Sequence, residues 1–186
     1  MTTALVTGAT AGIGWAVVER LCADGFDVVA VGRRDERLRD LAAKTGCTTQ
    51  QGDVTDTLRM QTIVGAAKPT VLINNAGIGL AITGLETASP EDVAKAVAVN
   101  ISAPIQLTRL ALPHMRQAGH GHIVNIGSIA GLHTLVSALY GAGKAAVHRF
   151  TQNLRYELVG TGIRVSEICP GRVESEFYDS GTGNIE

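Results

Sequence analysis

Ala4-Leu5-Val6-Thr7-Gly8-Ala9-Thr10-Ala11-Gly12-Ile13-Gly14 decides how this chain is read. A short apolar run, Ala4–Val6, opens onto a stretch holding Gly8, Gly12 and Gly14. An amphipathic pattern follows at Ile13, Ala16, Val17 and Leu21. Strand, turn and helix in that order set the N–H groups of a helix N-terminus beside glycines that let a ligand approach the backbone. The local field there favours an anion, and a pyrophosphate fits it. The spacing is G-x-x-x-G-x-G rather than the G-x-G-x-x-G fingerprint. With 22 glycines in the chain, the strand–turn–helix setting carries the reading more than the triplet does.

Beyond this segment, apolar runs alternate with helical periodicity to the end of the chain. The runs are Ala4–Val6, Val28–Val31, Thr48–Gln50, Val71–Ile73, Ile123–Ile126 and Ile163–Ile168. Helical patterns fill 13–24, 35–44, 55–67, 91–117 and 138–160. Apolar strands alternating with helices predict a parallel sheet covered on both faces, and right-handed crossovers make it doubly wound: an α/β fold in three layers, α/β/α. The polar run near Thr48 belongs at an edge. No repeat, linker or low-complexity segment divides the chain, so residues 1–186 are read as one domain. The tail Ser180–Asn184 reads as flexible. Ligands in such sheets bind outside the carboxyl ends of the strands. There the sequence sets Gly8, Arg33, Asp53, Asn75, Ser128 and Pro170, one after each strand in turn.

Composition narrows the function classes. The chain of 186 residues is 45% hydrophobic and 18% charged, with 16 basic and 17 acidic residues, which describes a soluble globular domain. No basic stripe interleaved with aromatics points to nucleic acid. No apolar run approaches the ~18 residues of a membrane span. The N-terminus runs directly into Ala4-Leu5-Val6 without a basic leader. Cys22, Cys47 and Cys169 are odd in number, far apart and without CxxC spacing. They read as reduced thiols of a cytoplasmic protein. His120-Gly121-His122 reads as a turn before a strand, and no metal is expected. Arg33-Arg34-Asp35-Glu36-Arg37 is mixed in sign, as at a solvated helix start.

Chemistry enters with Tyr140 and Lys144, four residues apart and so on one helical face. A free phenol titrates near about 10, and an adjacent ammonium makes it a better acid. Such a proton donor beside a phosphate-holding loop points to redox chemistry on a carbonyl or alcohol. Hydride reaching a carbonyl carbon leaves charge on oxygen, which needs a proton and a hydrogen-bond donor. Tyr140 suits the first need and Ser128 the second. A solvated helix pair is the ordinary alternative for Tyr-x-x-x-Lys taken alone. Arg33 and Arg34 follow the second strand, where an acid would bond the ribose of NAD. Two guanidinium groups instead suit a 2′-phosphate, so NADP is expected, with NAD possible. Pro104 lacks an N–H, which frees the carbonyl of Asn100 and should kink the helix. Gly141 and Gly143, inside the Tyr/Lys helix, fit either a close backbone approach or a tightly packed neighbour.

Thr7-Gly8-x-x-x-Gly12-Ile13-Gly14, Asn74-Asn75-Ala76-Gly77, Asn100, Ser128, Tyr140-x-x-x-Lys144 and Pro170-Gly171 together resemble the short-chain dehydrogenase/reductase family, from residue 4 to about 175. The resemblance implies a Rossmann-fold NAD(P)-dependent oxidoreductase of a small alcohol or ketone. By it, Gly8, Thr10, Gly12, Ile13 and Gly14 cradle the cofactor phosphates, and Asp53 and Val54 flank the adenine. Asn75, Ala76 and Gly77 line the nucleotide cleft, while Pro170, Gly171 and Val173 lie near the nicotinamide. Asn100, Ser128, Tyr140 and Lys144 form the catalytic set, with Asn100 holding a relay water and Lys144 lowering the pKa of Tyr140. Tyr140 and Lys144 also contact the cofactor.

The chain departs from the family pattern in three places. The C-terminal portion of the usual fold, a further helix and a final strand, is absent after Glu186, as in a partial record. The interval from Ser128 to Tyr140 is one residue short, and Gly143 stands where Ser or Thr is commoner. A nucleotide-sugar epimerase shares the fold and the Tyr/Lys pair, and a non-catalytic NADP-binding sensor fits the short loop. The resemblance also implies a homodimer or homotetramer built on the two long helices, through Leu107, Leu110, Ala111, Phe150 and Leu154. Ile78–Leu85 and Leu132–Ala138 would shape the substrate pocket.

Overall fold

A computed structural model describes residues 2–79, 84–134 and 137–173. Six parallel strands form one sheet: β1 (Thr3–Thr7), β2 (Asp27–Gly32), β3 (Thr48–Gln51), β4 (Val71–Asn74), β5 (Gly121–Ile126) and β6 (Ile163–Ile168). Their order is β3-β2-β1-β4-β5-β6, so the winding reverses between β1 and β4, where a ligand crevice is expected. Polar β3 takes the edge read for it. The helices are α1 (Gly12–Ala23), α2 (Asp35–Thr45), α3 (Thr57–Ala67), α4 (Pro90–Val97), α5 (Ala103–Ala118) and α6 (Ala138–Glu157).

Strand alternation builds two cores, one on each face of the sheet. Leu5, Val29, Val31, Leu72, Ile123 and Val165 pack with Met60, Leu107, Met115 and Leu154 from α3, α5 and α6. Ala4, Val6, Val28, Ala30, Ile73, Val124 and Ile126 pack with Val18, Leu38 and Leu41 from α1 and α2. Each fully buried Leu contributes roughly 1.5–3 kcal/mol relative to exposure. Leu107, Ala111 and Leu154 therefore cover the sheet, because their helix face points inward. Leu110 and Phe150 pack against the same core. Leu107, Ala111 and Leu154 thus do not form the outward face expected for assembly, while Leu110 and Phe150 are half-buried.

Helix boundaries follow local chemistry. The pattern 55–67 starts at Thr57 because Asp56 caps it, accepting from the N–H of Arg59 at 3.0 Å. Ser89 and Asp92 close a capping box ahead of Pro90 at the start of α4. The single helix expected over 91–117 is instead two helices joined by a π-turn, Ala98–Ser102. Pro104 withdraws an N–H, and the ladder widens so that the N–H of Ala103 reaches the carbonyl of Ala98. The backbone takes up the proline in a wider turn at Asn100. The pattern 138–160 ends at Glu157, followed by a turn before β6. His122 lies within β5 rather than in a turn, 2.8 Å from the hydroxyl of Ser166.

A buried polar network ties the helices to the sheet. The side-chain amide of Asn74 on β4 donates to Asn125 Oδ1 on β5 at 2.8 Å, and lies 3.3 Å from Thr108 Oγ1 on α5. Asn125 donates to Thr151 Oγ1 on α6 at 2.8 Å. Inside protein such bonds fix geometry, because leaving any member unpaired is costly. No helix among the described residues is long and apolar enough to cross a membrane. The tail read as flexible, and 80–83 and 135–136 within the two pocket loops, lie outside the described residues.

Candidate active site

The carboxyl ends of the six strands open into one cavity of about 590 Å³. Its lining brings together Gly8, Thr10, Gly12, Ile13, Arg33, Arg34, Asp53, Val54, Asn75, Ala76, Gly77, Ser128, Tyr140, Lys144, Pro170, Gly171 and Val173. Two of the residues read as site residues, Gly14 and Asn100, do not line it.

Gly14 works from behind. A Cβ there would stand 2.3 Å from the carbonyl oxygen of Gly8 and 2.4 Å from Asn75 Nδ2. Only glycine lets α1 close on the loop. Gly8 itself holds φ +65°, a left-handed conformation that glycine adopts without strain. Asn75 stitches the loop after β4 to the loop after β1, donating to the carbonyls of Thr7 at 2.9 Å and Gly8 at 3.1 Å. The N–H groups of Asn75 and Ala76 both donate to Thr7 Oγ1.

The N-terminus of α1 fits an anionic group. Its cap position, Ala11, makes no side-chain capping bond, and no acid stands in its first turn. Its leading N–H groups are thus left to a ligand, in a field that favours negative charge. Two cations stand across the same cavity. Arg34 is fastened to the glycine loop, donating to the carbonyl of Thr10 at 3.0 Å and to Thr10 Oγ1 at 3.1 Å. Arg33 faces Asp53 at 3.7 Å. Burial pushes the Asp53 carboxyl up, but bonds from the N–H and hydroxyl of Thr55, with Arg33, outweigh it and hold the group below its ordinary value. This donor set suits a phosphate-bearing dinucleotide with extra charge near the ribose end.

At the other end, Ser137 caps α6, accepting from the N–H of Tyr140. Lys144 is only 5% exposed. Its Nζ donates to the carbonyl of Ile126 at 2.8 Å and lies 5.8 Å from the centroid of the Tyr140 ring. Burial pushes Lys144 down to about 8, opposed by Glu167 and Cys169. Ser128 Oγ accepts from the N–H of Ala130 at 3.1 Å, which leaves its hydrogen to donate into the cavity. Asn100 Oδ1 accepts from the N–H of Ile78 at 2.9 Å, and Nδ2 donates to the carbonyl of Ile78 at 2.8 Å. The side chain of Asn100 therefore pins the loop after β4. A Cβ on Gly77 would contact Asn100 Oδ1 at 3.4 Å and Lys144 Nζ at 3.7 Å. A Cβ on Gly141 would lie 3.3 Å from the carbonyl of Ala130, and one on Gly143 3.5 Å from Asn100 Cβ. The two glycines reflect close packing of α6 on its neighbours.

Sequence reasoning did not find Ile126, whose carbonyl holds Lys144, and it read Ile78 only as the start of a pocket segment rather than as the backbone partner of Asn100; backbone partners leave no side-chain signal. It also did not find Arg172 and Val99, which line the cavity, whereas Ser137, also in the lining, falls within the pocket segment read at Leu132–Ala138. It passed over Glu167 too, although an acid inside the apolar run Ile163–Ile168 was a visible anomaly.

Known proteins are similar to this chain along most of its length. The family model described as short chain dehydrogenase matches residues 2–183. An NADP-dependent 3-hydroxy acid dehydrogenase of Escherichia coli (strain K12) is 39% identical over 177 residues, covering 91% of this chain and 71% of that protein. Sulfoacetaldehyde reductase 2 of Chromohalobacter salexigens is 37% identical over 190 residues, covering 96% of this chain and 75% of that protein. The closed form of a serine dehydrogenase complexed with NADP+ superposes with a TM-score of 0.91 at 38% identity, over 96% of this chain and 75% of that one. A doubly wound sheet, a glycine loop before an uncapped helix and a Tyr/Lys helix at the cavity's far end go with a match along nearly the whole chain, and this protein belongs to the short-chain dehydrogenase family of oxidoreductases.

Proposed function

We propose that this chain is an NADP-preferring oxidoreductase of small alcohols and ketones, with cofactor and catalytic residues carried on one domain spanning 1–186. The observation that carries the reading is the meeting of Ser128, Tyr140 and Lys144 in the cavity that also holds Arg33 and Arg34. The bound nicotinamide supplies the two-electron chemistry. The chain supplies binding, orientation and a proton.

In this reading the N–H groups at the start of α1 and the glycine loop hold the pyrophosphate, and Arg33 and Arg34 engage a 2′-phosphate. The hydroxyl of Ser128 donates to the substrate oxygen and orients it. Tyr140 gives its phenolic proton to that oxygen in reduction and takes it back in oxidation. Lys144, charged and 5.8 Å from the ring centroid, favours the phenolate. Asn100 acts as a positioning residue through Ile78, and its backbone carbonyl, in the π-turn that takes up Pro104, is the acceptor for a relay water. Arg172 is a cation in the cavity lining suited to an acidic substituent, in keeping with relatives named for a 3-hydroxy acid and sulfoacetaldehyde. Val97 and Ile105, 40% and 38% exposed, are the apolar residues of α4 and α5 left for contact within a homodimer or homotetramer.

Replacing Tyr140 by Phe tests the assignment. Turnover of an alcohol and ketone panel with NADP(H) is expected to fall at least about a hundredfold, while NADPH binding followed by calorimetry stays within a few-fold of wild type. Undiminished turnover in that variant would refute the proposed role.

A further inference from the structure

A charged pair lies beneath the N-terminal half of α6. β6 directs Ile163 and Val165 into the core under α5 and α6, and the next residue on that face is Glu167. Its side chain is only 8% exposed, and Oε2 lies 2.7 Å from His148 Nδ1. His148 follows Lys144 by four residues, so both side chains descend from one face of α6. His148 Nε2 lies 2.9 Å from the side-chain amide nitrogen of Gln152. His148 thus links Glu167 on β6 to Gln152 on α6 in one chain of polar contacts.

The other carboxylate oxygen, Oε1, is buried without a hydrogen-bond partner. It presses on the backbone of Gly127, where a Cβ would stand 2.3 Å away. Gly127 directly follows Ile126, whose carbonyl accepts from Lys144 Nζ. A buried ammonium and a buried carboxylate therefore flank the same turn of β5. Neither charge is stable in such surroundings without an opposite one nearby.

We propose that Glu167, oriented by His148 and Gln152, is a positioning residue that keeps Lys144 in its charged form beside Tyr140. The inference rests on the roles proposed above for Tyr140 and Lys144. Burial drives Lys144 toward the neutral amine, and Glu167 is the strongest group acting against it, with Cys169 next. The Cys169 thiol is itself pushed up, by burial first and then by Glu167, so it is protonated and leaves Glu167 as the standing negative charge. Lys144 also has Tyr140 on its own helix and the uncharged Ile126 and Gly77 beside it, while His148, one turn further along α6, faces Glu167. Of the two groups that act against burial at Lys144, Glu167 is the carboxylate and Cys169 the thiol.

The test reads Lys144 directly and needs no substrate. The chain has four lysines, so carbon-13 labelling of lysine Cε allows each to be titrated by NMR. The Lys144 midpoint in Glu167→Gln is expected about one pH unit below wild type, a roughly tenfold larger neutral fraction near neutral pH. Glu167→Asp, which keeps the charge, should return the midpoint toward wild type. If the single amide variant does not fold, Glu167→Gln with His148→Gln removes both partners together, a milder change, and should show the same lowering. In the kinetic arm, the alkaline limb of kcat/KM should move down in pH with the NMR midpoint. A folded Glu167→Gln protein with an unchanged Lys144 midpoint would overturn the proposal, as would an Asp variant as low as the Gln one. Absence of turnover in wild type would sink the functional reading while leaving the NMR titration intact.

Discussion

Lys144 Nζ stands 5.8 Å from the centre of the Tyr140 ring while it donates to the carbonyl of Ile126 at 2.8 Å. The spacing of the two residues along α6 accounts for their common face. The strand accounts for the aim of the ammonium, because a carbonyl at the end of β5 holds it under the ring. At that range, in a partly desolvated cleft, a positive charge acts on a phenol far more strongly than it would in water.

Lys144→Met should trade activity for stability. The folded state holds Lys144 near 8 against an ordinary 10.5, so it binds the proton less well than the unfolded chain does. This folding penalty is complete below about pH 8, shrinks as pH rises and is gone above the ordinary value. Thermal melts near pH 7 should show the variant more stable by about 1–2 kcal/mol, after allowing for the lost bond to Ile126. The gain should vanish toward pH 10. Turnover should fall at least about a hundredfold.

The same titration sets a limb of the wild-type pH profile. The charged form of Lys144 prevails below about 8 and is lost above it. Carbonyl reduction should therefore weaken as pH rises through that value. A log kcat/KM profile flat from pH 7 to 10 would contradict this.

Arg33 and Arg34 should separate by variant. Arg33 faces Asp53 in a 3.7 Å ion pair and does not hold the glycine loop among the described residues, so Arg33→Ala should weaken NADPH about ten- to a hundredfold and NADH little. Arg34 also holds the glycine loop through Thr10, so Arg34→Ala should weaken both cofactors. Calorimetric titration with each dinucleotide checks the split.

Two glycine substitutions should have opposite signs. Gly14→Ala drives a Cβ to 2.3 Å from the carbonyl oxygen of Gly8, and neither backbone segment can yield cheaply. Dinucleotide binding should be lost, with about 1–3 kcal/mol of stability. Gly65 lies inside α3 with open space around it, and Gly65→Ala should stabilise by about 0.5–1 kcal/mol. Urea denaturation of both variants measures the difference.

Thr151→Val tests the network beneath the site. It removes the acceptor that Thr151 Oγ1 offers to Asn125 inside the core, so about 1–3 kcal/mol should be lost in urea denaturation. Because α6 loses a tie to β5, the fall in kcat should exceed any change in KM.

The order of elements, the parallel sheet, its polar edge at β3 and the glycine loop at one end of the cavity were all legible in the sequence. They follow from short-range rules: apolar runs, helical periodicity, and glycines between a strand and a helix. The gathering of Ser128, Tyr140 and Lys144 in one cavity was also foreseen, since strand ends of a parallel sheet share one edge. Other features were decided only by the tertiary structure. Asn100 is turned to Ile78 because a π-turn absorbs Pro104 and changes the facing of that helix. Leu107, Ala111 and Leu154 point inward because the path of α5 and α6 over the sheet, rather than their periodicity, says which side is core. Glu167 and His148, far apart in sequence, meet beneath α6 because β6 runs alongside β5, and only that pairing brings a buried carboxylate to the end of the strand that holds Lys144.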